Sequence, residues 1–211
     1  MVIKKVEVVN KDPAIIEVTF EPIPQKIIDL VYAETQRFEQ LSFDDLVVEQ
    51  GRTFYTGTES NAYKVLKRHF VSAFQEITKQ LLLVDPIRFP IMYQEKVDKN
   101  KALDKWYESN NLKNHQSLLC ALDYTGFHQG THLDNRFAMW AGIINLQDNS
   151  VGTHHYPAEF DRTPYYVASG KKFKGTFWLN TEKTWHGVPF LQENRRVLVC
   201  NQMWISTLAF D

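Results

Sequence analysis

The apolar residues of this chain are spaced differently in its two halves. In the first half they recur three and four positions apart, which places them along one face of an α-helix. The clearest example is residues 60–82, where the apolar face consists of Leu66, Phe70, Phe74, Ile77 and Leu81. Residues 22–41 repeat this spacing, and the β-branched run "AIIEVTF" (14–20) precedes them. The pattern predicts one strand followed by two helices.

From about residue 115 the pattern changes to short apolar runs separated by turn residues, which is typical of a β-sandwich or barrel. The predicted strands are 117–124, 131–135, 139–146, 153–157, 175–180 and 195–204. We therefore predict an α+β protein with a double-stranded β-helix (jelly roll) core and N-terminal helices packed on one outer face. No Pro/Gly/Ser-rich linker divides the chain, so residues 1–211 are expected to form a single domain. Residues 1–114 would be a mainly helical support region, and residues 115–211 the core.

Composition and charge narrow the possible functions. A chain that is 44% hydrophobic and 23% charged is expected to fold, and a formal net charge of −1 argues against a nucleic-acid partner. No apolar run reaches the roughly 18 residues of a membrane span. The two cysteines, Cys120 and Cys200, lie in apolar runs without a CxxC pattern, so a zinc knuckle is not indicated. We expect a cytoplasmic protein without a membrane partner.

The segment "QGTHLDNRF" (129–137) contains the first candidate chemistry. In a strand, His132 and Asp134 would project from the same face, as a metal site requires, although a turn would also explain the pair. His186, in "KTWHGVPF", lies on a later predicted strand and reaches the pair only if the sheet folds over on itself. Two histidines and one carboxylate with open coordination positions suit non-haem Fe(II), whereas structural zinc closes all four positions.

Two further pairs of residues bear on this site. His154 and His155 are adjacent, so in a strand only one of them can face inward. Arg195 and Arg196 stand at the entry to an apolar strand, and by the same alternation one of them should point into the barrel. An inward arginine among apolar residues is costly unless an anion meets it, and a dicarboxylate keto acid would supply that anion.

The ordered set "HLDN", "WHGV" and "NRRVL" resembles the 2-oxoglutarate- and Fe(II)-dependent dioxygenases over about residues 117–204, and among them the prolyl-4-hydroxylase-like group. The resemblance implies that iron is bound by His132, Asp134 and His186. It implies that Arg196 or Arg195 binds the distal carboxylate of 2-oxoglutarate, with Arg196 favoured because ten residues after the histidine is a common spacing in the group. Tyr124 would bind the same carboxylate. Many members have serine or threonine two residues after the arginine, where this chain has valine or leucine.

The chemistry implied by the resemblance uses Fe(II), the co-substrate 2-oxoglutarate and O₂. It hydroxylates an unactivated C–H bond of an amino-acid, peptidyl (prolyl-like) or small-molecule substrate and releases succinate and CO₂. Related halogenases replace the carboxylate with a small residue, so Asp134 favours hydroxylation. The alternatives are a non-catalytic jelly-roll binding module and a cupin-like metalloprotein without a keto acid, whose extra ligand would be His154 or His155. An oxygenase acting on nucleic acid is a further alternative, which the basic run in "GKKFKG" (170–175) and the aromatic residues expected to be exposed keep open. The oligomeric state also stays open.

Overall fold

The computed structural model describes residues 2–36, 46–49, 52–55, 61–96, 98, 118–134 and 138–202. For some residues within these ranges, Arg196 among them, only the backbone is described. In this part of the chain no helix combines the length and the apolar character needed to cross a bilayer. The domain boundary predicted at residues 114/115 lies outside the described residues.

The described strands form two sheets in which every pairing is antiparallel. The large sheet has the order β1-β2-β10-β7-β12-β5-β4-β3 and the small sheet the order β6-β11-β8-β9. The strands of the large sheet are β1 (Ile3–Lys11), β2 (Ala14–Phe20), β3 (Leu46–Glu49), β4 (Arg52–Tyr55), β5 (Leu118–Asp123), β7 (Trp140–Asn145), β10 (Lys174–Leu179) and β12 (Arg195–Gln202). Those of the small sheet are β6 (Gln129–His132), β8 (His154–His155), β9 (Tyr166–Val167) and β11 (His186–Val188).

The helices α1 (Gln25–Gln36) and α2 (Asn61–Val84) pack against one face of the large sheet, and residues 88–96 form a further helical segment. The helix residues that face this core share the three-and-four spacing seen in the sequence: Ile27, Ile28, Phe70, Phe74, Ile77 and Leu81. They meet apolar residues from alternate positions of the central strands: Ile16, Val18, Trp140, Ile144, Phe177 and Leu179. Burial of this shared apolar surface holds the helices on the sheet.

Strand alternation gives the large sheet a second face that differs in chemistry from the first. On β10, Phe177 and Leu179 belong to the core under the helices, whereas Trp178 packs with Ile15 and Ala141 on the opposite face. Successive side chains in a strand point to opposite faces, so this separation follows directly from the order of residues. The face that contains Trp178 is the one that contacts the small sheet, because the centroids of the Trp178 and His186 rings are 4.6 Å apart.

The prediction of β-structure in the second half is confirmed, and each predicted strand corresponds to an observed one within a few residues. The predicted helices and the strand at 14–20 are present as well. The N-terminal half also contributes β1, β3 and β4 to the large sheet. Apolar and charged residues are mixed in "IKKVEVVNK" because β1 is an edge strand that is only partly buried. One prediction needs correction: β6 ends at His132, so Asp134 lies beyond the strand.

Replacing Gly142 with alanine should lower the free energy of unfolding by about 1–3 kcal/mol, the usual cost of adding a methyl group to a packed core. Gly142 lies opposite Phe177 on β10. A Cβ atom there would overlap the Phe177 ring and lie 2.7 Å from the carbonyl oxygen of Thr176. Urea unfolding measures the change, with Gly130→Ala as the control, because a Cβ atom at Gly130 meets nothing within 4 Å. Equal unfolding midpoints for the two variants would contradict the packing argument.

Candidate metal centre

Three histidines lie in a row across three neighbouring strands of the small sheet. His186 of β11 is directly opposite His132 of β6 on one side and directly opposite His155 of β8 on the other. Residues directly opposite each other in an antiparallel pair project from the same face. The row therefore turns all three imidazoles towards the interior, and the order of the strands places His186 in the middle.

Asp134 joins two of these histidines in a compact group. One ligand atom from each of His132, Asp134 and His186 lies within 4.8 Å of the other two, a spacing that fits a single metal ion. The His186 Nε2 atom is 3.5 Å from the Asp134 Oδ2 atom, and the two imidazole rings have centroids 4.3 Å apart. His186 is buried, while His132 and Asp134 are half-buried. The structure thus brings together the three residues predicted as iron ligands.

Backbone carbonyl groups fix the orientation of both histidines. The Nδ1 atom of His186 lies 2.9 Å from the carbonyl oxygen of Thr184, and that of His132 lies 2.9 Å from the carbonyl oxygen of Gly130. A carbonyl oxygen only accepts hydrogen bonds, so each Nδ1 atom must carry the proton and donate it. Each Nε2 atom is then the unprotonated nitrogen, which is the one that binds a metal.

The surroundings of His186 favour its neutral form. Burial is the main cause that lowers the pKa of His186, and electrostatic repulsion from His132 and Arg52 lowers it further. The Asp134 carboxylate and the hydrogen bond to the backbone of Thr184 raise it. The net effect is a lowered pKa. A histidine must be neutral to bind a metal, so this environment prepares the side chain for ligation.

His155 is the inward-facing member of the adjacent histidine pair. It is fully buried, neither ring nitrogen has a hydrogen-bond partner among the described residues, and burial lowers its pKa well below the usual value. Its ring centroid is 5.9 Å from that of His186, and it is not part of the compact group of ligand atoms. The described residues therefore provide no fourth ligand of the kind that the cupin-like alternative requires.

A buried cluster of charged residues lies on the large sheet, on strands β4, β5 and β12. Asp123 is fully buried between two arginines: Arg195 donates from Nε to its Oδ2 atom at 2.8 Å, and Arg52 donates from Nη2 to the same oxygen at 3.0 Å. The guanidinium of Arg52 also lies over the Phe127 ring, 4.8 Å from its centroid. Arg195 and Asp123 are paired across the strands, so their side chains share one face of the sheet.

Among the described residues, this cluster has one positive charge more than its carboxylate balances, since two arginines contact Asp123. Arg195 is only 1% exposed, and its Nη1 atom has no acceptor among the described residues. Its Nη2 atom lies 2.6 Å from the Asp123 carboxylate but is not directed at it for a hydrogen bond. A buried guanidinium with free donors is costly unless an anion occupies the space in front of it. The geometry therefore fits the binding of a carboxylate.

The structure gives less detail for Tyr124 and Arg196, the other two residues predicted to bind 2-oxoglutarate. Tyr124 is half-buried and follows Asp123 at the end of β5, close in sequence to the charged cluster. The backbone of Arg196 pairs with Leu122, but its side chain lies outside the described residues. Arg52 and Asp123 were not predicted from the sequence. The only available signal was a charged residue, Asp123, at the end of the apolar run "LLCALD".

Comparison with known proteins supports the fold. No protein-family model matches the sequence, and no curated protein matches it. Among solved structures, the chain is similar to a prolyl-4-hydroxylase from Pseudomonas putida, with a TM-score of 0.50 and 12% identity over 85% of this chain and 88% of that chain. It is also similar to OsALKBH1, with a TM-score of 0.58 and 8% identity over 95% and 100% of the two chains. A prolyl hydroxylase from Trichoplax adhaerens, in complex with a peptide fragment of the hypoxia inducible factor oxygen degradation domain, gives a TM-score of 0.47 at 12% identity over 84% and 78% of the two chains.

At these identities the similarity shows a shared fold. This fold agrees with the one that the resemblance of the motifs implied. The similarity to OsALKBH1 covers 95% of this chain, so it extends over both halves of the sequence.

Proposed function

We propose that this chain is a 2-oxoglutarate- and Fe(II)-dependent oxygenase that hydroxylates an unactivated C–H bond of an amino-acid, peptidyl or small-molecule substrate. We further infer that the two sheets form the double-stranded β-helix predicted from the sequence, and that residues 1–211 make up one domain. A reducing, cytoplasmic setting, which keeps iron ferrous, is part of this proposal.

One observation carries the proposal: the compact group of His132, Asp134 and His186. With two imidazoles and one carboxylate as its protein ligands, a ferrous ion would keep its remaining positions open for a co-substrate and O₂. The hydrogen bonds from both Nδ1 atoms to backbone carbonyls support this role, because they hold the Nε2 atoms in place before any metal binds.

The buried arginine cluster supports 2-oxoglutarate as the co-substrate. We propose Arg195 as the residue that binds its distal carboxylate, because the side chain is buried and has donors left over after pairing with Asp123. Tyr124 would contribute from the end of β5. Arg196, which the spacing of the group favoured, stays the alternative. The cluster is near enough to the metal centre for the charge of Arg52 to act on His186.

Within this proposal each part of the chain has a defined task. Bound ferrous iron, together with 2-oxoglutarate and O₂, supplies the oxidising chemistry, in which one oxygen atom enters succinate and the other enters the hydroxylated product, with release of CO₂. His132, Asp134 and His186 would hold the ion. Arg195 orients the co-substrate through its far end, and Asp123 keeps that arginine in position.

The spectrum of the protein in the absence of oxygen tests this function. Adding Fe(II) and 2-oxoglutarate to the purified wild type should produce the visible charge-transfer band of a ferrous ion chelated by a keto acid. An Asp134→Ala/His186→Ala variant should not show it. His154→Ala provides the matched control and should keep the band, since His154 lies outside the ligand group.

Wild type without the band, or a double variant that retains it, would contradict the proposal. Release of succinate across a panel of free amino acids, prolyl peptides and small metabolites would then define the substrate. If the band forms but no candidate raises succinate release above the uncoupled level, the panel lacks the true substrate class and the metal assignment still stands.

A further inference from the structure

Trp178 connects the large sheet to the metal centre. Its Nε1–H group donates a hydrogen bond to the Oδ2 atom of Asp134 at 2.9 Å. Its ring also lies 4.6 Å from the ring of His186, tilted by 51°. One side chain therefore contacts two of the three proposed metal ligands, and it comes from a strand that belongs to the other sheet.

The position of Trp178 within its own sheet is rigid. Strand β10 is internal in the large sheet, and Trp178 pairs with Ile15 of β2 on one side and with Ala141 of β7 on the other. The side chain is 2% exposed and packs against both of these residues. Contacts within the large sheet thus fix both the backbone and the ring of Trp178, independently of its contacts with the metal centre.

Asp134 needs such a partner more than the two histidines do. His132 and His186 lie in strands that pair with each other, and each is oriented by a carbonyl group two residues earlier in the chain. Asp134 follows the end of β6 and is outside that pairing. Its carboxylate is 18% exposed, and a hydrogen bond to a charged, partly buried acceptor is stronger than one between neutral groups.

We propose that Trp178 is a positioning residue for the metal centre, which holds the Asp134 carboxylate in the orientation needed for ligation through its indole N–H group. This inference rests on the proposed metal site. It adds a tryptophan of the large sheet to the residues that determine metal affinity, and it does not depend on the substrate or on 2-oxoglutarate.

Mn(II) binding to the purified protein tests the inference, because free Mn(II) is readily counted by electron paramagnetic resonance. Trp178→Phe keeps the aromatic packing and removes the hydrogen bond. Its dissociation constant for Mn(II) should rise about 10- to 100-fold, the usual effect of removing a residue that orients a metal ligand. Thermal unfolding of the metal-free variant should be recorded beside it.

Trp140→Phe is the matched control. Trp140 is also a buried tryptophan of the large sheet, and its Nε1–H group donates to Thr78 Oγ1 at 3.0 Å, on the face that the helices cover. This variant loses a comparable hydrogen bond and a comparable ring, but it should bind Mn(II) like the wild type. Equal weakening by the two variants would mean that loss of stability lowers the affinity, and would overturn the role of Trp178.

A second measurement decides the question even if Trp178→Phe does not fold. In the metal-free protein labelled with ¹⁵N in its tryptophan side chains, the Trp178 indole proton should be shifted downfield by the carboxylate. In Asp134→Ala it should move upfield and exchange faster with solvent, while the Trp140 indole proton stays in place. Single Trp→Phe changes at the other four tryptophans assign the signals. An unchanged Trp178 signal overturns the inference.

The outcomes separate this inference from the proposed function. If the wild type binds no Mn(II), both the inference on Trp178 and the proposed function are wrong, because there is then no metal centre to organise. Wild type that binds Mn(II), with Trp178→Phe binding equally well, removes only the role of Trp178 and leaves the metal centre intact.

Discussion

Replacing Arg195 with methionine should weaken the binding of 2-oxoglutarate at least about 30-fold, while leaving the affinity for the metal unchanged. Removing one partner of a buried, hydrogen-bonded charge pair costs about 2–5 kcal/mol. That range corresponds to roughly 30-fold to several thousand-fold in the dissociation constant. Methionine preserves much of the side-chain volume, and Asp123 keeps its ion pair with Arg52. Isothermal titration of the Mn(II)-loaded protein with 2-oxoglutarate, without oxygen, measures the change.

Two variants make the test of Arg195 specific. Arg195→Lys keeps the charge but loses the planar fork that binds both oxygens of a carboxylate, so it should recover only part of the affinity. Arg196→Met, one residue further along the same strand, should bind 2-oxoglutarate like the wild type. If Arg196→Met loses the affinity and Arg195→Met keeps it, the spacing common in the prolyl-4-hydroxylase-like group identifies the anchor, and our assignment is wrong.

Sequence patterns predicted the parts of this protein that depend on local order. The switch from helical spacing to short apolar runs between turns located both helices and most of the described strands of the second half, because burial leaves a trace in the order of apolar residues. The candidate metal ligands could also be predicted from the sequence, since their residue types, their order and the strand context of His186 limit the possible chemistry. Their ligand role is still a proposal, but the structure does bring the three side chains together.

Contacts between distant parts of the chain could not be predicted in this way. Asp123 meets Arg52 across 71 positions, and Trp178 meets Asp134 across 44. Such contacts depend on strand order and register, which no local pattern encodes. The sequence left open which of His154 and His155 faces inward. The pairing of β8 with β11 decides this, because it places His155 directly opposite His186.

The same long-range pairing bears on the choice between Arg195 and Arg196, for which the spacing in the prolyl-4-hydroxylase-like group favours Arg196. Local alternation says only that one of Arg195 and Arg196 points inward. Arg195 lies opposite Asp123, and Asp123 also lies opposite Arg52 on the neighbouring strand β4. The buried carboxylate therefore gathers both arginines on one face and creates the excess positive charge that we assign to co-substrate binding.

Replacing Asp123 with asparagine should destabilise the protein by about 3–5 kcal/mol at neutral pH, because it leaves two buried guanidinium groups without a counter-charge. Asparagine has nearly the same shape, so the change removes the charge and one accepting oxygen without opening a cavity. Burial alone would raise the pKa of Asp123, but the hydrogen bonds and charges of Arg52 and Arg195 outweigh it and hold the pKa below the usual value of 3.8. Urea unfolding of wild type and variant measures the difference in stability.

The pH dependence of that difference is the more demanding test, and its sign follows from the lowered pKa. A carboxyl group with a lower pKa in the folded state than in the unfolded state contributes its full stability above the unfolded pKa. The contribution is lost as the pH falls through the folded pKa. The stability gap between wild type and Asp123→Asn should therefore be constant near neutral pH and shrink below about pH 4, where unfolded aspartate takes up its proton.

Combining the two changes tests whether charge balance or packing is responsible. In Asp123→Asn/Arg195→Met only Arg52 is left, so one buried charge lacks a partner instead of two. The double variant should regain part of the stability that Asp123→Asn loses, since residues in one ion-pair network do not act additively. If the two losses simply add, and the gap at neutral pH persists below pH 4, then the charge of Asp123 is not what stabilises the fold. The excess charge would then no longer explain why this site would bind a carboxylate.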